Sequence, residues 1–167
     1  MLNRVKINTM NKDYKIPTEN IRDFILAGRA VFSLENIEKG THVTFKVVDR
    51  NASRRSRSKD DESKKKSSGF YYVFAEMGGY EKFVCIGVYQ VKGAVFTKTN
   101  EFKESKYTKA FSWLLGHYVE NNNPDDRVII YHEGRCAYCG RVMHDSESIK
   151  SGFGPKCRKL AKEFVLI

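Results

Sequence analysis

Three cysteines near the C-terminal end constrain this chain more than any other feature. They stand in Cys136-Ala137-Tyr138-Cys139-Gly140 and in Gly152-Phe153-Gly154-Pro155-Lys156-Cys157. Cys-x-x-Cys-Gly has the form of a zinc knuckle, a tight turn that aims two sulfurs and the turn's amides at one point; the glycine relieves crowding after the second thiolate. Pro155 suits the first turn of a helix running through Arg158, Leu160, Ala161 and Phe164. Cys157 then sits in that turn, where the helix dipole favours a thiolate. Knuckle plus helix start predicts a small zinc-knuckle or treble-clef-like module.

Tetrahedral zinc takes a fourth ligand. His132, four residues before Cys136, and His144, five after Cys139, are both within reach, and His132 is favoured. Asp145 fits better as the cap of a short helical turn over Ser146–Ser151 that Gly152 ends. A thioredoxin-like redox pair lacks its flanking strand–helix pattern here. A catalytic metal is an alternative if three protein ligands bind and water holds the fourth position.

Ahead of this module the apolar pattern predicts an antiparallel α+β domain. Thr18 can cap a helix over 18–27, ended by Gly28. Strands are expected at 30–34, 42–47, 70–74, 82–89 and 94–97, a meander of about five joined by short turns. Val43, Phe45 and Val47 alternate onto one face, and Cys85 reads as an inert core residue. Residues 107–120 read as one amphipathic helix with Ala110, Trp113, Leu114 and His117 on its buried stripe. His117 is expected to be a satisfied, partly buried histidine, and Asp125-Asp126 a solvated turn before a short strand at 128–131. The expected division is an α+β domain over 1–124 and a zinc module over 125–167.

The chain has 167 residues, 41% of them hydrophobic and 13% aromatic, which excludes wholesale disorder. No apolar run approaches the ~20 residues of a membrane span. The first residues lack the continuous apolar core of a secretory signal. A soluble cytoplasmic protein is expected.

Thirty Lys and Arg against twenty Asp and Glu give a net charge of +10. Half of it sits in residues 50–69, which hold Arg50, Arg54, Arg55, Arg57, Lys59, Lys64, Lys65 and Lys66 against three acidic residues. With no large apolar side chain, this insertion between the second and third strands is expected to be disordered.

The C-terminal segment also resembles a phage-encoded family with a domain of unknown function. Its pattern is His-Glu-Gly-Arg-Cys-x-x-Cys-Gly-Arg, then Asp-Pro-Glu-Ser-Ile, then Gly-Ile/Phe-Gly-Pro-x-Cys. Residues 131–141, 145–149 and 152–157 carry it here, and residues 24–34 and 110–113 are similar to its upstream blocks. The resemblance implies phage origin and a bacterial host cytoplasm. It places His132, Cys136, Cys139 and Cys157 on metal-ligand positions. His144 falls where that family has threonine, and Ser146 where it has proline.

The basic charge favours a polyanion partner. Arg54, Arg55, Arg57, Lys64, Lys65 and Lys66 can track phosphates, while Arg141 and Arg158 lie on the rim of the zinc module. Tyr71, Tyr72, Phe74, Tyr80, Phe83 and Tyr89 flank the basic loop; alternation sends about half of them into a core and leaves the others free to stack on bases. Nucleic-acid binding is the first expectation. The second is an inhibitor or adaptor that docks on an acidic host protein, in defence or transcription machinery. A non-enzyme is expected: phosphate-loop and Gly-x-Ser-x-Gly signatures are missing, and His132-Glu133 has no second histidine at helical spacing. A metal-dependent nuclease is the third reading.

Overall fold

The computed structural model describes residues 12–52, 66–78 and 82–165. Six strands form one antiparallel sheet: β1 (Arg29–Asn36), β2 (Thr41–Asp49), β3 (Phe70–Glu76), β4 (Phe83–Gln90), β5 (Val95–Lys98) and β6 (Val128–His132). Their spatial order is β5-β4-β3-β2-β1-β6. The first five make the expected meander. The sixth returns beside β1, pairing Phe32 with His132 and Leu34 with Ile130.

Alternation decides which side chains enter the core. Ala30, Phe32 and Leu34 of β1, Phe45 and Val47 of β2, and Tyr71, Val73 and Ala75 of β3 are all buried. Val43 is half-buried against them. On β4 the alternation breaks at a register shift opposite Val73/Phe74. Beside it, Gly87 leaves room for a neighbouring ring: a Cβ there would stand 2.6 Å from Cε2 of Phe96 and 2.5 Å from the carbonyl oxygen of Thr97. Phe96 uses that space to reach Phe111, with ring centroids 5.1 Å apart. Cys85 is not in the core; it is half-buried, with its Sγ 3.7 Å from the carbonyl of Gly87.

The helices pack on the face that carries Phe32, Phe45 and Tyr71. α1 covers only Ile21–Ile25, preceded by a 3-10 turn at Thr18–Asn20, and Thr18 makes no cap bond. α2 (Lys106–Leu114) starts at Ser105, whose hydroxyl accepts from the amide of Thr108, and continues as a π-helical stretch over Leu115–Glu120. Its buried stripe is Thr108, Phe111, Leu114, Leu115 and Tyr118, one position round from the expected face. Trp113 lies half-buried at the edge, stacked on His117 with centroids 4.2 Å apart. His117 Nδ1 is 2.9 Å from the carbonyl of Asn123. Just before β6, Arg127 forks onto Asp125 with contacts of 2.9 and 2.6 Å, and this pairing holds the carboxyl down to about 2.

α3 (Ser146–Ser151) begins as expected, with Asp145 Oδ1 accepting from the amide of Ser148 at 2.8 Å and Gly152 closing it in the left-handed region. α4 (Cys157–Val165) follows. The expected division at 124/125 does not describe this architecture. β6 is part of the sheet, and Ala137, Met143, Phe153, Ala161 and Phe164 lie in the same apolar cluster as Phe24, Phe32 and Phe45. An apolar strand needs a partner, and the free edge of β1 supplies one.

The ends of the 50–69 insertion are fastened. Asp49, fully buried, accepts from the amide of Asn51 at 2.7 Å, the hydroxyl of Ser67 at 2.7 Å, and the amide and hydroxyl of Ser68 at 3.0 and 3.2 Å. The Ser67 amide donates to the carbonyl of Phe164 in α4 at 2.9 Å. Disorder was expected through this whole stretch; residues 50–52 and 66–69 are bound instead, because a buried carboxylate must find donors. Residues 53–65, with Arg54, Arg55, Arg57, Lys64 and Lys65, lie outside the described residues, as does Tyr80.

Candidate metal centre

The loop after β6 turns back on itself at two glycines in the left-handed region, Gly134 (φ 76°) and Gly140 (φ 75°). Between them the Cys136 amide donates to the carbonyl of Arg141 at 2.9 Å, and the Gly140 amide to the carbonyl of Cys136 at 2.8 Å. These bonds close the knuckle. Across from it, the Gly154 amide donates to Cys136 Sγ at 3.3 Å, and Cys157 opens α4.

The result is a cluster in which the sulfurs of Cys136, Cys139 and Cys157 all lie within 4.8 Å of one another. Tetrahedral zinc–thiolate bonds of ~2.3 Å place sulfurs roughly 3.8 Å apart, so small side-chain movements suffice to close on an ion. Three thiolates are also a soft donor set, suited to zinc and similar metals. Three close cysteines can hold a metal ion.

Electrostatics supports the fit. Burial pushes the Cys157 thiol up, and the neighbouring Cys136 and Cys139 push it further, to about 12. Burial also raises Cys139, but hydrogen bonds from the Arg141 backbone and from the other two thiols outweigh it and bring that thiol below its usual value. Cys139 is thus the more easily ionised of the two, and a charge on a neighbouring sulfur opposes ionisation of Cys157. A divalent cation reverses that opposition, since it favours deprotonation of every sulfur it touches.

His132 does not join the sulfurs. It is buried on β6, between Tyr14 (centroids 4.9 Å apart) and Phe24 (6.2 Å). Its Nδ1 accepts from the amide of Gly134 at 2.9 Å, which leaves Nε2 to donate to the carbonyl of Ile149 at 2.6 Å. Both ring nitrogens are engaged by backbone. Burial lowers its pKa, although the bond to Ile149 works the other way. The expected fourth ligand therefore stands apart from the sulfurs in this structure, where His132 joins β6 to the loop at 134 and the end of α3. The spacing to Cys136 alone could not reveal this, because strand alternation turns His132 toward Phe24.

An open cavity of about 770 Å³ lies over the sulfurs, lined by all three cysteines together with Arg29, Arg141 and His144. His144 is exposed there, outside the sulfur cluster. Ser148 forms part of the wall, and its Oγ is buried with no hydrogen-bond partner among the described residues. Arg141 is exposed on the cavity wall, while Arg158 is exposed outside that lining, with one Nη donating to Asn20 Oδ1 at 2.9 Å. Lys66 is exposed at the neck of the insertion.

The residue that sequence reasoning missed is Arg29. One Nη donates to the carbonyl of Cys139 at 3.1 Å, and the other to the carbonyl of Ala52 at 2.6 Å. Its amide also donates to the carbonyl of Ala137 at 2.8 Å. Arg29 ties the knuckle to the root of the basic insertion. Its place after Gly28, at the start of a strand, gave no hint of partners more than a hundred residues away.

Among the described residues no helix is long and apolar enough to cross a membrane. Comparison with curated proteins and with solved structures finds no match. Residues 130–161, from β6 through all three cysteines into α4, match the model of a family of unknown function, DUF6011.

Proposed function

We propose that this chain is a zinc-stabilised nucleic-acid-binding protein. Cys136, Cys139 and Cys157 hold Zn²⁺, and His144, which shares their cavity, swings in to complete the tetrahedron. Zinc there is structural. It draws the knuckle and the start of α4 together, and ligand binding of this kind contributes folding free energy on the order of ~10 kcal/mol in small sites.

The observation that carries the nucleic-acid reading is the position of Arg29. By bonding the carbonyls of Cys139 and Ala52, it sets the root of the basic insertion against the metal module. Arg54, Arg55 and Arg57 follow Ala52 by two to five residues in sequence, and Arg141 and Lys156 are exposed on the cavity wall. That pair of bonds brings the root of the basic insertion, at Ala52, to the metal module. Clustered cations of this sort bind phosphates by releasing counterions, with little dependence on base sequence. The resemblance to phage-encoded chains extends this reading to nucleic acid in a bacterial host cytoplasm.

Salt titration tests it. With about four phosphate contacts, a fourfold rise in salt weakens binding roughly 100-fold. Replacing Arg54, Arg55 and Arg57 by alanine should flatten that slope, as should Arg141→Ala with Lys156→Ala. Undetectable binding to both DNA and RNA at low salt contradicts the proposal and favours the adaptor that docks on an acidic protein.

A further inference from the structure

The alternation that buries Tyr71, Val73 and Ala75 sends Phe70, Tyr72 and Phe74 to the opposite face of the sheet, away from α1, α2 and α4. Phe70 and Tyr72 are each 40% exposed. Val48 and Val88 lie opposite Tyr72 on the two neighbouring strands, and Gln90 lies opposite Phe70. Lys46, on the same face, holds its ammonium 6.0 Å from the ring centre of Phe74 and 5.7 Å from that of Phe83. The face is therefore aromatic and cationic together. It begins at the end of the sheet where the basic insertion is rooted, since the Arg50 amide donates to the carbonyl of Phe70 at 3.1 Å.

We infer that this open face is a stacking platform for a single-stranded nucleic acid, with Phe70 and Tyr72 each taking one base. The inference rests on the nucleic-acid reading above and names the form of the ligand. Two residues apart on one strand, the rings stand roughly 7 Å from each other. That spacing suits bases splayed apart rather than stacked on one another. Sheets that present such rings bind unpaired strands, because every base has a face to stack and only an unpaired one can offer it. Val48 and Val88 supply the flat apolar surround of Tyr72, and Lys46 and Arg50 supply charge for the backbone. A duplex keeps its base faces inside and meets only the cations.

The test is fluorescence anisotropy with the zinc-loaded full chain, using labelled single strands of DNA and of RNA about 20 nucleotides long, beyond one site of ~4–16 nucleotides, and a duplex of equal length. The parent should bind single strands more tightly than duplex. A Phe70→Leu, Tyr72→Leu variant, which keeps strand-forming apolar residues, should bind single strands at least about tenfold more weakly with duplex affinity unchanged. Thermal unfolding of the variant, matched to the parent, shows that the fold is intact. If the parent binds both forms and the variant loses nothing on single strands, the platform is wrong while nucleic-acid binding stands. If the parent binds neither, both readings fail. If sedimentation shows a parent dimer that the variant dissolves, with binding unchanged, the face belongs to a second copy of the chain and the inference is overturned.

Discussion

Gly152 lies so close to Phe24 that a Cβ on it would stand 2.7 Å from Cδ2 and 2.9 Å from Cε2 of the ring. Phe24 belongs to α1, at the start of the fold, and Gly152 closes α3, inside the metal module. The same ring packs on Phe32, Phe153 and His132. Module and sheet are thereby packed over one aromatic cluster, and strain at Gly152 should reach α1 and β1.

Gly152→Ala tests that packing. The new methyl meets a buried ring, and the backbone there has φ 81°, which alanine adopts only under strain. Overpacking and backbone strain together should cost roughly 2–4 kcal/mol in chemical denaturation. A change below about 0.5 kcal/mol would mean that α3 moves freely against α1.

The two histidines should separate in a zinc competition assay. Loss of a direct ligand should exceed the ~10–100-fold that supporting residues cost, so His144→Ala should weaken zinc affinity by about 100-fold or more. His132→Gln should leave affinity within about tenfold of the parent and lower stability instead. The opposite ranking would restore His132 as the ligand.

His132 itself should be neutral with its proton on Nε2, as its bonds to Gly134 and Ile149 require. Burial depresses its folded pKa below 6.5, so the unfolded chain takes up the proton first. Its contribution to stability is therefore present above pH 6.5 and is lost as pH falls through the folded pKa. An NMR titration of the ring nitrogens checks this directly. Titration at or above 6.5, or a proton on Nδ1, would contradict the assignment.

Asp49 should govern the neck of the basic insertion. Asp49→Ala removes the acceptor for Asn51, Ser67 and Ser68 and leaves their donors to find others, at a cost of roughly 2–4 kcal/mol. Denaturant unfolding of the variant measures it. An unchanged midpoint would show that the neck contributes nothing to the fold.

Local pattern made much of this legible in sequence. Alternation in 42–47 and 70–74 gave the buried face of the sheet, and Asp145 with Gly152 gave both ends of α3, because caps and pleats are decided by near neighbours. What was missed depends on distant partners. The fate of His132 turns on Ile149 and Phe24, that of Arg29 on Ala52 and Cys139, and the burial of Asp49 on two serines at the far end of the insertion. The helical stripe through Ala110 and Trp113 was read one position off, since Phe111 is drawn inward by Phe45 and Phe96. No periodicity within the helix records that attraction.

Metal in the knuckle holds the C-terminal segment in shape, and elemental analysis of the purified chain measures it most directly. One zinc per chain is predicted, lost in Cys139→Ser together with hydrogen-exchange protection over residues 132–165, while β2 and β3 keep theirs. Zinc loss should also grow as pH falls, because protons compete for the three sulfurs. A metal-free parent, or a Cys139→Ser variant with the parent's zinc content and unfolding midpoint, would contradict it.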